Sequence, residues 1–230
     1  MTVHPRNNST NRYSLFNEIF GDTTNSTVLD FGGSSGNLLY FSNNKIKQEN
    51  YTCIDIVKEA IESGNEEFSQ ATFIHNNRYN WMYNHVGNDN LIFPDINKKQ
   101  DYIWAYSVFS HTDLNEFIET VKWLMTFDYK KIAVSFLTFN EMLEWAYNKR
   151  LNEYGKCIDI RNSNFQTMYF FDNDKIITDD ITLTTSKNYK YLLTFYNIEY
   201  LTEFFQQHNI HINITYPGDG YVPFLIVERT

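Results

Sequence analysis

The segment Val28-Leu29-Asp30-Phe31-Gly32-Gly33-Ser34-Ser35-Gly36-Asn37-Leu38 reads as an apolar strand, a tight turn and a helix start. Glycines at 32, 33 and 36 let the backbone bend sharply and approach a ligand closely. Asp55 ends the next apolar run, 19 residues after Gly36. A carboxylate there can accept both hydroxyls of a ribose lying across the first two strand ends. The spacing is not the Gly-x-Gly-x-x-Gly that presents a helix N-terminus to a pyrophosphate. Asp30, two residues before the first glycine, repels a pyrophosphate and suits a ligand with a positive amino-acid end. A nicotinamide dinucleotide fails on both counts. A tight turn holding no ligand uses the same glycines; the second acid favours a nucleoside.

These residues must be positioned by the elements around them. Short apolar strands alternate with helical patterns: Val28 to Phe31, then a helix from Asn37; Tyr51 to Ile56, then Val57, Ala60 and Ile61 at helical spacing; Ala71 to His75; Asp101 to Phe109; and Lys131 to Leu137. Leu114, Phe117, Ile118, Val121, Leu124 and Met125 form one helix face, opened by a capping-box spacing of Asp113 and Glu116. Glu141 to Arg150 reads as helical, and Ile158 to Lys190 as a polar, Asn-rich mixture of short strands and loop. Ile198, Leu201, Phe204 and Phe205 give a last helix face. Ile210 to Tyr216 and Tyr221 to Val227 form an antiparallel hairpin through Pro217-Gly218-Asp219-Gly220. Strand–helix alternation requires crossovers and predicts a parallel sheet covered on both faces. Ligands on such sheets bind at the carboxyl ends of the strands, where strand order reverses.

Composition limits what that site serves. The 230 residues carry 19 Lys and Arg against 28 Asp and Glu, a net charge of −9, which disfavours phosphate backbones and anionic membrane surfaces. No apolar run suits a secretion signal or a membrane span, and Cys53 and Cys157 are too far apart in sequence for a short-spaced metal motif, so a reducing cytoplasm is expected. His111-x-Asp113 supplies too few ligands for a metal, and none is expected.

In Asp30-Phe31-Gly32-Gly33-Ser34-Ser35-Gly36 and Asp55 the chain resembles the class I, Rossmann-like, S-adenosylmethionine-dependent methyltransferases. Their usual pattern is Asp/Glu-x-Gly-x-Gly-x-Gly, with Ser34 here replacing the middle glycine. The resemblance covers residues 26–137 and the closing helix and hairpin. It implies an α/β three-layer sandwich with a seven-stranded, mostly parallel sheet and an antiparallel last strand. One domain is expected over 1–230, with an N-terminal lid in 1–25 and a substrate cover near 151–195. By the family's pattern Asp30, Gly32, Gly33, Ser34 and Gly36 face the methionyl part of S-adenosylmethionine. Asp55 and Ile56 lie at the ribose, Asn76 or Asn77 by the adenine, and Tyr106 and Ser107 beside the amino-acid portion. S-adenosylhomocysteine is the implied product.

The fourth strand runs into Val108-Phe109-Ser110-His111. His111 at the site's mouth is the candidate general base, since an imidazole titrating near neutrality can take a proton from an acceptor hydroxyl. Ordering the loop is its alternative role. Tyr13, where relatives carry a helical lid, is the second catalytic candidate. Arg78, Tyr79, Asn80 and Tyr196 are the substrate candidates, from an aromatic- and amide-rich stretch after the third strand and from the start of the last helix. Ala105-Tyr106-Ser107-Val108 differs from the Asn/Asp-Pro-Pro-Tyr/Phe of nucleic-acid amino-methyltransferases. The reading is therefore O-methylation of a polar small molecule such as a sugar, sugar nucleotide or natural-product intermediate, by a monomer or homodimer. A non-catalytic, partner-binding relative of the same fold is the alternative.

Overall fold

The computed structural model describes residues 12–80, 83–112, 114–138, 166–172, 175–179, 192–196, 198–218 and 222–229. Asp113, the helix expected over Glu141 to Arg150, Cys157 and the Asp219-Gly220 turn lie outside the described residues.

In chain order the elements are α1 (Arg12–Phe20), β1 (Val28–Phe31), α2 (Asn37–Phe41), β2 (Tyr51–Asp55), α3 (Lys58–Glu67), β3 (Thr72–His75), β4 (Tyr102–Ala105), α4 (Leu114–Leu124), β5 (Lys131–Ser135), β6 (Leu137–Thr138), β7 (Gln166–Asp172), β8 (Lys175–Asp179), β9 (Leu192–Tyr196), α5 (Ile198–Gln207), β10 (Asn213–Thr215) and β11 (Phe224–Glu228). A seven-stranded sheet has the order β10-β11-β5-β4-β1-β2-β3. All its neighbouring strands are parallel except those flanking β11, which runs antiparallel to both β5 and β10. The expected three-layer, mostly parallel architecture is present. Strand order reverses between β1 and β4, which places their carboxyl ends at the crevice where such sheets bind ligands.

Period-two alternation decides what each face of the sheet covers. Leu29, Ile54, Ile103, Ile132 and Leu225 share one buried cluster with Phe117, Val121 and Leu124 of α4 and Leu201 and Phe205 of α5. Val28, Cys53, Trp104, Ala133 and Phe224 share the other with Phe16 and Phe20 of α1 and Leu38 and Leu39 of α2. Asp30 stands in register with Cys53 and Trp104, so its side chain belongs to the second face. The Phe16 ring meets Trp104 edge-on at 5.6 Å. Burying a phenylalanine side chain contributes about 1.5–3 kcal/mol, so Phe16 anchors α1 to the sheet.

Two local expectations are corrected. The fourth strand ends at Ala105; Ser107 turns to φ 59° and residues Phe109–His111 wind into a 3-10 turn. The cause is at Ser107, whose N–H donates to Ser135 Oγ at 2.7 Å instead of extending the ladder. The fifth strand is split at Phe136: β6 leaves the main sheet and joins β9, β7 and β8 in a four-stranded sheet of order β6-β9-β7-β8. The Asn-rich stretch thus supplies β7 and β8, a pairing that local pattern alone does not specify. Among the described residues no helix is long and apolar enough to cross a membrane.

Candidate active site

The turn after β1 is built from left-handed residues: Gly32 at φ 78°, Ser34 at 56° and Gly36 at 80°. Gly32 N–H donates to the Ile54 carbonyl at 2.7 Å, which fixes the turn to the end of β2. The glycines also answer to packing. A Cβ on Gly32 would fall 2.2 Å from Val108 Cγ2, and one on Gly33 would fall 2.5 Å from Asp30 Oδ2.

Asp30 lies beneath this turn. It is 3% exposed, covered by Gly33, and its Oδ2 accepts the Tyr51 hydroxyl at 2.5 Å. Burial drives its carboxyl up to about 7, opposed by the Tyr51 hydrogen bond and the positive charge of Arg12. The register with Cys53 and Trp104 causes this placement.

Asp55 ties the crevice together. Its Oδ2 accepts Ser34 N–H at 2.7 Å and its Oδ1 accepts Val57 N–H at 2.9 Å, joining the glycine turn to the start of α3. Burial raises its carboxyl, and these N–H groups hold it down. Each carboxylate oxygen keeps a second lone pair for an incoming hydroxyl. Alongside, Asn76 N–H donates to the Asp55 carbonyl at 2.9 Å, and His75 Nε2 lies 3.2 Å from the Ile56 carbonyl. Ile56 and Asn76 are therefore brought to Asp55. Asn77 is exposed and its Oδ1 accepts from Asn84 Nδ2 at 3.1 Å.

On the β4 side, Tyr106 stacks on Trp104 at 5.8 Å and Ser107 is exposed. His111 ends the 3-10 turn. The Tyr83 ring meets its imidazole edge-on at 5.3 Å, with the hydroxyl 3.4 Å from Nε2. Asn80 Nδ2 donates to the His111 carbonyl at 3.1 Å, and Asn80 Oδ1 accepts Tyr83 N–H at 3.1 Å. Burial, and then the negative charge of Asp55, push the Tyr83 phenol up, so it keeps its proton. Tyr83 was not singled out in the sequence, although it lies within the aromatic and amide stretch that was.

The remaining candidates are held by contacts of their own. Arg78 pairs with Glu116 of α4 at 3.4 Å and donates to the carbonyls of Asn88 and Asp89, so it latches the loop after β3 onto α4. Tyr79 is half-buried in that loop, its N–H on the Asn88 carbonyl. Tyr196 is 1% exposed in the core; its hydroxyl points at the carbonyls of Phe109 at 3.1 Å and Thr112 at 3.0 Å, which shapes the turn bearing His111. Tyr13 stacks on Phe16 at 6.1 Å, its phenol raised by burial and by Asp22. Among the described residues no three His, Cys, Asp or Glu side chains gather as a metal site.

A family model described as a methyltransferase domain matches residues 29–127, the span that runs from β1 through α4 and carries the turn, Asp55 and His111. That span is a methyltransferase domain, and the sheet has the class I methyltransferase fold. The fold of this methyltransferase is shared with a glycopeptide N-methyltransferase, MtfA, complexed with sinefungin (TM-score 0.55, 7% identity, 96% of this chain and 93% of that one). An S-adenosylmethionine-dependent methyltransferase from Clostridium acetobutylicum gives 0.53 at 12% identity over 95% and 89%. Magnesium protoporphyrin IX methyltransferase from Synechocystis with bound S-adenosylhomocysteine gives 0.53 at 11% over 94% and 79%. At these identities the likeness is one of fold. No curated protein matches the sequence.

DhpI is solved with S-adenosylmethionine and the Synechocystis enzyme with S-adenosylhomocysteine. The site fits such a cofactor: Asp55 has lone pairs for ribose hydroxyls, and the glycine turn carries only the small side chains of Ser34 and Ser35.

Proposed function

We propose that this methyltransferase methylates a hydroxyl oxygen of a polar small molecule, such as a sugar, sugar nucleotide or hydroxylated natural-product intermediate, with His111 as general base. The observation that carries this reading is the His111–Tyr83–Asn80 arrangement after β4: the imidazole faces a protonated phenol, and the Asn80 amide holds the His111 backbone carbonyl. When bound, S-adenosylmethionine supplies a methyl group activated on its sulfonium. An acceptor hydroxyl must lose its proton as the new C–O bond forms, and an imidazole near neutrality takes it, while positioning supplies the rest of the rate. Tyr79 and Asn80 are assigned to the acceptor's polar groups.

Asp55 and Ile56 are assigned to the ribose, Asn76 and Asn77 to the adenine, and the Gly32, Gly33, Ser34 and Gly36 turn with Tyr106 and Ser107 to the methionyl side. The net charge of −9 favours a small acceptor over a nucleic acid. A reducing cytoplasm suits the buried free thiol of Cys53.

A panel of hydroxylated metabolites and sugar nucleotides with methyl-labelled cofactor tests the reading. Label should enter a hydroxyl acceptor, and His111→Gln should slow transfer by about 10²–10⁴-fold. Transfer to amines alone, or full activity in His111→Gln, overturns it.

A further inference from the structure

A base is effective only when its imidazole is held in position, and His111 lies on a short turn between β4 and α4. Its N–H donates to the Val108 carbonyl at 2.9 Å, and its carbonyl accepts Asn80 Nδ2 at 3.1 Å. The carbonyls that bracket it, those of Phe109 and Thr112, meet a residue 87 and 84 positions away.

That residue is Tyr196, the last of β9. Its ring is buried against Phe117 at 4.9 Å and Phe136 at 6.3 Å. A phenylalanine at 196 would keep these ring contacts; only the hydroxyl reaches the turn. That hydroxyl carries one proton and is shared between the Phe109 carbonyl at 3.1 Å and the Thr112 carbonyl at 3.0 Å. The Thr112 hydroxyl closes the cluster, 3.5 Å from the Tyr196 oxygen and 3.4 Å from the Phe109 carbonyl. One buried donor thus pins both sides of the residue that bears the imidazole. Tyr196 is also a member of the second sheet, in register with Thr138 of β6 and Gln166 of β7. The turn carrying His111 is therefore tied to the four-stranded sheet through this hydroxyl.

We propose that Tyr196 is a positioning residue for methyl transfer: its hydroxyl ties the four-stranded sheet to the turn at 109–112 and so aims the His111 imidazole. The proposal rests on the reading of His111 as the base. Without the donor the turn relaxes, and misplacing a catalytic group by about 1 Å costs about 10²-fold in rate.

Tyr196→Phe tests it, because it keeps the ring and removes the donor. With an acceptor from the panel above, kcat should fall about 10- to 100-fold. Acceptor KM and S-adenosylhomocysteine affinity should stay within about twofold, since Tyr196 acts through His111 alone. Proton NMR gives a readout that needs no acceptor. The His111 ring signal, assigned by its loss in His111→Gln, should shift and lose its Overhauser contact with the Tyr83 ring. A wild-type kcat or an unmoved His111 signal in Tyr196→Phe overturns the proposal. Equal loss of kcat and cofactor affinity also overturns it, because Tyr196 then serves the fold. Full transfer in His111→Gln overturns the base reading and this proposal together. Slow transfer there, with a wild-type kcat in Tyr196→Phe, overturns this proposal alone.

Discussion

The Tyr51 hydroxyl donates to Asp30 Oδ2 at 2.5 Å in a closed space under the glycine turn, where Asp30 is 3% exposed. A free Asp titrates near 3.9, whereas burial raises this one to about 7. Between those pH values the folded chain holds a proton that the unfolded chain has lost. Stability contributed by this group is therefore full at low pH and falls as pH rises toward 7, by at most roughly 3–4 kcal/mol. Asp30→Asn mimics the protonated form. It should raise the melting temperature by several degrees more at pH 8 than at pH 5. An equal effect at both pH values means that Asp30 does not titrate in this window.

Asp55 holds Ser34 and Val57 N–H groups and is assigned to the ribose. Asp55→Ala leaves both N–H groups without their partner and removes the ribose acceptor. S-adenosylhomocysteine affinity should fall by more than about tenfold, since a hydrogen bond to a charged group contributes about 1.5–3 kcal/mol. Titration that gives an unchanged Kd refutes the ribose assignment.

Gly32 has no room for a side chain because Val108 Cγ2 would lie 2.2 Å from its Cβ, and its φ is 78°. Gly32→Ala should cost about 2–4 kcal/mol in urea unfolding, from overpacking and left-handed strain together. Val108→Ala in the same chain should recover the overpacking part and leave the strain. Strict additivity in the double-mutant cycle contradicts the contact.

Arg78 and Glu116 are each less than a fifth exposed, and their ion pair joins the loop after β3 to α4. Arg78→Ala leaves Glu116 partly buried without this cation. The loop at 83–97 should be cut faster by a nonspecific protease, with S-adenosylhomocysteine affinity little changed. Cleavage at the wild-type rate shows that the loop is held by other contacts.

The glycine turn, Asp55 and the strand–helix alternation were legible in the sequence because each depends on residues close in the chain. Gly32 and Gly36 supply positive φ, and the apolar periods of Phe117, Val121 and Leu124 mark a buried face. These set the fold class. The tertiary structure decided the rest. Whether Asp30 faces outward or down depends on its register with Cys53 and Trp104 on neighbouring strands. Tyr196 looked available at the start of a helix, yet it points inward to the Phe109 and Thr112 carbonyls, 87 and 84 residues away. Tyr83 meets His111 across 28 residues, and Arg12 reaches Tyr106 because Phe16 and Phe20 dock their helix on Trp104. Local sequence encodes backbone conformation and which face is apolar. Which polar side chains converge is fixed only when separate strands pair and the helices pack over them.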